Sequence, residues 1–240
     1  MNLIDKFNPL RILEKIQMDF FWRYNLQKNP FLNAYRRVLK LKTDDTLLQN
    51  VGIQQERALP SDVVFQRNGW WKKMILRYGI AADLSENKLV LDTCSGIGWG
   101  AFLVSQNAKK ILGIDIDESS VKFAQDYWGK ENLNFEIGSV LDMDFEDNSF
   151  DVVLAMESIE HFNLEDGKKY ISECYRVLKK GGVLFGSSAF PKTRNEADML
   201  CSKNPYHFYV YTKKEIKYYL NRHFSKVYLY RNRLFFKAIK

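Results

Sequence analysis

Hydrophobic and polar positions change period along the chain, and the changes mark its elements. Short, mostly apolar runs at Lys88–Thr93, Lys110–Asp115, Leu133–Ile137, Phe150–Met156 and Gly182–Ser187 predict five strands. Such runs suit strands buried on both faces. Segments of helical spacing separate them: one helix opens over Gly100–Asn107, and others cover Ser119–Trp128 and Asp166–Leu178. Strands alternating with helices specify a parallel sheet covered on both sides. A further helix is predicted at Thr212–Leu220. Two β-like runs then follow, Lys226–Tyr230 and Leu234–Ile239. Only Asn232 and its neighbours part them, so they are expected to form an antiparallel hairpin.

The first 45 residues read as two amphipathic helices. Asn8-Pro9 is a start signal, and Leu10, Leu13, Ile16, Phe20 and Phe21 follow at helical spacing. Asn29-Pro30 restarts the pattern, with Phe31, Ala34, Tyr35, Val38 and Leu39 on one side and Arg36, Arg37, Lys40 and Lys42 around the rest. A basic, aromatic-rich pair of this kind either lies peripherally on an anionic membrane or packs as a cap on its own domain. Residues 43–68 are mixed and loop-rich. Gly69–Tyr78, with Trp70, Trp71, Met74 and Ile75, predicts a helix leading into the main domain. The division expected is an extension over 1–68 and an α/β domain over 69–240.

Composition narrows this picture. A chain of 240 residues, 46% hydrophobic, can bury a full α/β core with an appendage. That excludes a disulfide-stapled miniprotein, a collagen-like rod and a wholly disordered chain. Cys94, Cys174 and Cys201 are far apart and form no C-x-x-C pair. Neither a structural zinc site nor a disulfide framework is expected, and a reducing cytoplasm is. No apolar run approaches the roughly 20 residues of a membrane span. Met1 to Asn8 does not read as a secretory signal.

The net charge of +7 is unevenly spread. Residues 1–80 hold 14 Lys/Arg against 7 Asp/Glu, residues 81–202 hold 12 against 21, and residues 203–240 hold 10 against 1. The basic ends suit docking to an anionic partner. The acidic middle carries the candidate chemistry.

That chemistry begins at Val90-Leu91-Asp92-Thr93-Cys94-Ser95-Gly96-Ile97-Gly98-Trp99-Gly100, between a strand and a helix. Glycines there let the backbone approach a ligand closely. Asp115 ends the next strand, where a carboxylate can accept both hydroxyls of an adenosine ribose. A dinucleotide needs G-x-G-x-x-G facing a pyrophosphate. Here the spacing is G-x-G-x-G, and Asp92 would repel a pyrophosphate but attract an ammonium group.

On these residues the chain resembles the class I S-adenosylmethionine-dependent methyltransferases, from about residue 50 to the end. The resemblance implies a doubly wound, mostly parallel seven-stranded Rossmann-like sheet with an antiparallel last strand. It implies S-adenosyl-L-methionine as cofactor, held by Asp92, Thr93, Cys94, Ser95, Gly96, Gly98, Trp99, Asp115, Ile116, Ser139, Val140 and Met156. Ser139 departs from the family, which often has an acid there. Asn148-Ser149-Phe150-Asp151-Val152-Val153 and Arg176-Val177-Leu178-Lys179-Lys180-Gly181-Gly182 also resemble family segments. Glu56-Arg57 with Pro60, Arg77-Tyr78 with Ala81, and Asn204-Pro205-Tyr206-His207 resemble methyltransferases found with bacterial surface-polysaccharide genes. That narrower likeness implies a small-molecule or saccharide acceptor and a role in polysaccharide biosynthesis.

Glu157, Glu160 and His161 follow the fourth strand, at the end of the sheet where an acceptor is expected. His161 reads as a general base for a hydroxyl, or as a residue that orients its loop. The same E-x-x-E-H pattern resembles metal sites of some O-methyltransferases, to which His207 would add a ligand. Methyl transfer from a sulfonium has no obligatory metal, so a divalent ion is possible but not expected. His207 and Tyr209 are candidates for substrate contact, within an aromatic strip that includes Tyr206 and Tyr211 and could equally be packing. An RNA methyltransferase gripping phosphates with the basic ends is the alternative, though nucleic acid is not the expected partner. A non-catalytic, cofactor-binding partner subunit is a third reading.

Overall fold

The computed structural model describes residues 33–35, 37–38, 70–230 and 235–240, with the side chains of 70–73 outside that description. The first predicted N-terminal helix, the loop-rich 43–68 segment, the Glu56-Arg57 lead-in and the turn around Asn232 lie outside the described residues. Helix α1 is Trp70–Leu84, followed by β1 (Leu89–Thr93), α2 (Trp99–Val104), β2 (Lys110–Asp115), α3 (Glu118–Trp128) and β3 (Leu133–Ile137). Then come β4 (Phe150–Met156), a 3-10 turn at Ile159–His161, α4 (Leu164–Val177) and β5 (Leu178–Ser187). The described chain closes with α5 (Arg194–Lys203), α6 (Lys213–Leu220), β6 (Lys226–Tyr230) and β7 (Phe235–Ile239).

The seven strands form one sheet in the order β3-β2-β1-β4-β5-β7-β6. β1 to β5 pair in parallel, and β7 runs antiparallel to both β5 and β6. This is the doubly wound sheet expected, with the last strand inserted beside β5. Alternate side chains enter opposite cores. Val152, Leu154 and Met156 join the layer under α1, α2 and α3, while Val153 and Ala155 join the layer under α4 and α6. Burial on both faces explains the near-continuous apolar runs.

Three elements differ most from the sequence expectation. Helix α1 runs through Gly79 to Leu84, because Ala81 and Ala82 continue its buried face. Strand β5 starts at Leu178, since Lys179–Gly182 forms an irregularity between the Phe150↔Leu178 and Val152↔Val183 pairs. Gly181 there takes φ 77°. Helix α5 was not anticipated. Thr193 and Glu196 form a capping box at its start, each satisfying a backbone N–H of the other.

The short described part of the N-terminal segment packs on this domain. Ala34 and Val38 are buried in the α1–α3 core. Arg37 donates to the Tyr127 carbonyl at 2.8 Å and lies over the rings of Phe102, Tyr127 and Trp128. Arg37 thus sits on aromatic faces of its own chain. Among the described residues, no helix is long and apolar enough to cross a membrane.

Candidate active site

Chain order reverses between β1 and β4, which are neighbours in the sheet. The crevice beyond their carboxyl ends is where open α/β sheets bind ligands. Most of the residues singled out from sequence meet there.

The turn after β1 is left-handed at Cys94, Gly96 and Gly98, with φ of 55°, 54° and 80°. At Gly98 a Cβ would stand 2.6 Å from the Phe135 ring and 2.8 Å from Ala124. The turn is tied from two sides. Ser95 N donates to the Ile114 carbonyl at 2.9 Å, and Gly96 N donates to Asp115 Oδ2 at 2.7 Å. Asp115 Oδ1 accepts from Asp117 N at 3.0 Å, and Asp117 in turn caps α3. One carboxylate thus holds both the glycine turn and the next turn. Beside it Ile116 is 78% exposed, an apolar surface left open at the strand end.

Asp92 is buried near the end of β1. Burial first, and the neighbouring Asp115 second, push its carboxyl up to about 8. The Cys94 thiol is raised by burial and Asp115 as well, which argues against a nucleophilic thiolate. Trp99 is buried edge-on against Tyr78, with ring centroids 4.8 Å apart. Ser139 is exposed and accepts from Leu141 N at 3.2 Å, while Val140 and Met156 are buried.

The turn after β4 faces the glycine turn. Glu157 has φ 49°, donates its N–H to the Ser187 carbonyl and accepts from Ser187 Oγ at 2.6 Å. The same oxygen, Oε1, pairs with the guanidinium of Arg77 at 2.5 Å. Arg77 comes from α1 and is 1% exposed. The Arg77–Glu157 pair was not anticipated: its partners stand 80 positions apart, and no local pattern links them. Glu160 is buried with Oε2 lacking a hydrogen-bond partner, and burial with the nearby Glu157 raises its carboxyl well above the usual range. His161 Nδ1 lies 3.2 Å from the Tyr206 carbonyl.

A hydroxyl chain couples the two turns. Thr93 Oγ1 donates to the Leu154 carbonyl at 2.6 Å, so it accepts from the Tyr170 hydroxyl, which accepts from Ser158 Oγ at 3.1 Å. Tyr170 of α4 thereby ties the end of β1 to the turn carrying Glu157, Glu160 and His161.

The aromatic strip divides. Tyr211 is buried against Gly167 and is core packing. The Tyr209 hydroxyl donates to Glu215 Oε1 at 2.9 Å, and Arg194 covers its ring at 4.5 Å. Tyr206 and Phe208 are exposed. His207 is half-buried with its ring centroid 5.3 Å from that of His161. Burial and His161 lower it to about 4, so it is neutral at physiological pH.

A Rossmann-like sheet of this order, with its glycine turn and acidic strand ends, is the fold of the class I S-adenosylmethionine-dependent methyltransferases. Residues 91–186 match the family model of the methyltransferase domain. Over that region the chain is similar to proteins of this class. The chain is 30% identical over 145 residues to a probable S-adenosylmethionine-dependent methyltransferase of Mycolicibacterium smegmatis, covering 60% of this chain and 54% of that protein. It is 30% identical over 154 residues to phosphoethanolamine N-methyltransferase of Plasmodium falciparum, covering 60% of this chain and 56% of that protein. The chain therefore spans about half the length of these curated relatives. Among solved structures, the YcgJ protein of Bacillus subtilis superposes with a TM-score of 0.58 at 22% identity, over 64% of this chain and 69% of that one.

Proposed function

We propose that this protein moves the methyl group of S-adenosylmethionine to a hydroxyl of a small molecule or saccharide, such as a sugar of a surface glycan or its precursor. The observation that carries the reading is the meeting of two turns at the carboxyl ends of β1 and β4. One presents Asp92 and Asp115 beside a glycine backbone, and the other presents Glu157, Glu160 and His161.

The residues suit the cofactor. Asp92, buried near the end of β1, offers a carboxylate to an ammonium group. Asp115, at the end of β2 against the glycine turn, offers its carboxylate to ribose hydroxyls. Exposed Ile116 offers apolar contact to an adenine face, with Ser139 and Val140 at its edge. Thr93, Cys94, Ser95, Gly96 and Gly98 contribute backbone to the wall, and Trp99 and Met156 support it from below. When bound, the cofactor supplies a methyl carbon on a sulfonium, open to in-line displacement.

The chain's own part is orientation and proton removal. The Tyr206 carbonyl, 3.2 Å from Nδ1, orients the His161 ring, and the imidazole is the base that takes the proton of the acceptor hydroxyl. Arg77 and Ser187 pin Glu157 by one oxygen, which leaves Oε2 to orient the acceptor. Exposed Tyr206 and Phe208 offer faces for a sugar ring.

The test is incubation with S-adenosylmethionine and host glycan precursors, followed by a mass-spectrometric search for a methylated product. His161→Ala should slow turnover by about 100-fold or more while cofactor affinity is kept. Unchanged turnover in that variant refutes the base role. Absence of methyl transfer to any hydroxyl acceptor refutes the reading as a whole.

A further inference from the structure

Three donor groups from two separate segments converge at the acceptor side. One ligand atom each of Glu160, His161 and His207 lies within 4.8 Å of the other two. Glu160 belongs to the 3-10 turn after β4, is 3% exposed, and has an Oε2 with no hydrogen-bond partner. His207 belongs to the loop between α5 and α6. The two segments are laced together by backbone bonds. The Glu160 carbonyl accepts from Phe208 N at 2.9 Å and Tyr209 N at 3.3 Å. The Tyr206 carbonyl faces His161 Nδ1 at 3.2 Å, which directs the proton to Nδ1. A carbonyl partner of this kind is what orients an imidazole ligand.

We propose that Glu160, His161 and His207 form a site for a divalent transition-metal ion of the zinc or cobalt class, and that filling it switches methyl transfer off. One carboxylate with two imidazoles suits such ions, whereas Mg²⁺ and Ca²⁺ take oxygen donors. Donors held about 2.0–2.1 Å from a tetrahedral zinc stand roughly 3.4 Å apart. Closing the observed spacing to that value requires these side chains to rotate. The ion gives Glu160 Oε2 the partner it lacks, and three protein ligands leave a fourth position for water. His161 Nε2 cannot hold a metal and accept a proton at once, so the loaded site has no acceptor-side base. This inhibitory half rests on the base role proposed for His161, whereas the metal site itself does not.

The experiment uses the full chain stripped of metal. Titration with Co²⁺, followed by the visible bands of tetrahedral cobalt, should show saturable one-to-one binding, with Zn²⁺ competing. His207→Ala and Glu160→Gln should each weaken binding by more than about 100-fold, above the cost of losing an outer-shell partner. Circular dichroism checks that each variant is folded. If the buried Glu160→Gln variant is not, half-buried His207 carries the test. Zn²⁺ should inhibit transfer by the wild type and a chelator should restore it. His207→Ala, compared with its own metal-free rate, should be insensitive. Absence of saturable Co²⁺ binding, or equal binding by His207→Ala, overturns the site. A loaded enzyme faster than the metal-free one overturns the inhibitory role. Co²⁺ binding in a protein that methylates no acceptor leaves the site standing and refutes the transferase reading.

Discussion

With Asp92 as the partner of the ammonium group, cofactor binding is expected to depend on pH. Its carboxyl is buried beside Asp115 and titrates at about 8 in the fold, against 3.8 in an unfolded chain. In the free protein at pH 7 it is therefore mostly protonated. An ammonium group placed against it favours the carboxylate, so binding must expel that proton. Each pH unit below 8 costs about 1.36 kcal/mol of binding free energy if only the ionised form binds. Between pH 5.5 and 7, where the ligand's amine stays cationic, affinity should rise by up to about 30-fold, or ~2 kcal/mol. Isothermal titration with S-adenosylhomocysteine in buffers of different ionisation enthalpy would read both the affinity and the proton released. Asp92→Asn should bind more weakly at pH 7, with no slope over this range. The same shift has a consequence for folding. Because the folded pKa lies above the unfolded one, the fold holds a proton that the unfolded chain has lost, and stability falls as pH rises from 3.8 to 8. Ligand-free Asp92→Asn should thus be more stable than the wild type at pH 7, by up to about 4 kcal/mol, and no different below pH 4. Binding that is flat with pH and releases no proton would refute the argument.

Other outcomes follow from the same geometry. Arg77→Met should lower stability by about 2–3 kcal/mol in denaturant unfolding, since it strands a partly buried Glu157 carboxylate. An unfolding midpoint equal to the wild type would show the pair to be unimportant. Gly98→Val should abolish S-adenosylhomocysteine binding by calorimetry, because a left-handed backbone and a Cβ pressed on Phe135 displace the turn. Retained affinity would mean that the turn is not the cofactor wall. Removal of residues 1–42 uncovers the aromatic faces under Ala34, Arg37 and Val38, and should lower the melting temperature. If the same truncation also abolishes binding to anionic liposomes, the segment serves docking as well. Unchanged liposome binding removes the membrane role.

The repeating strands and helices were legible because burial on both faces forces apolar runs, and the helices between them carry a different period. The boundaries of β2, β3, β4 and β6 coincide with the sequence expectation. The glycine turn and Asp115 were legible for a related reason. Their chemistry is local, and a strand–turn–helix frame brings them to one end of the sheet. Helix α5 was hidden because its apolar stripe is thin, with Ala197 its buried residue. Its Thr193–Glu196 capping box was the one signal that could have revealed it.

By itself, then, the sequence determined the layered α/β fold, the acidic crevice and the class of ligand, because these depend on periodicity and on residues close together in the chain. Tertiary structure decided the rest. It chose Arg77 as the partner of Glu157, and it placed Tyr170 between Thr93 and Ser158. It also turned Tyr211 into the core and brought His207 against Glu160 and His161. Each of these depends on which segments the sheet order sets side by side. It also raised Asp92, whose ionisation is governed by burial and a neighbouring charge rather than by residue type.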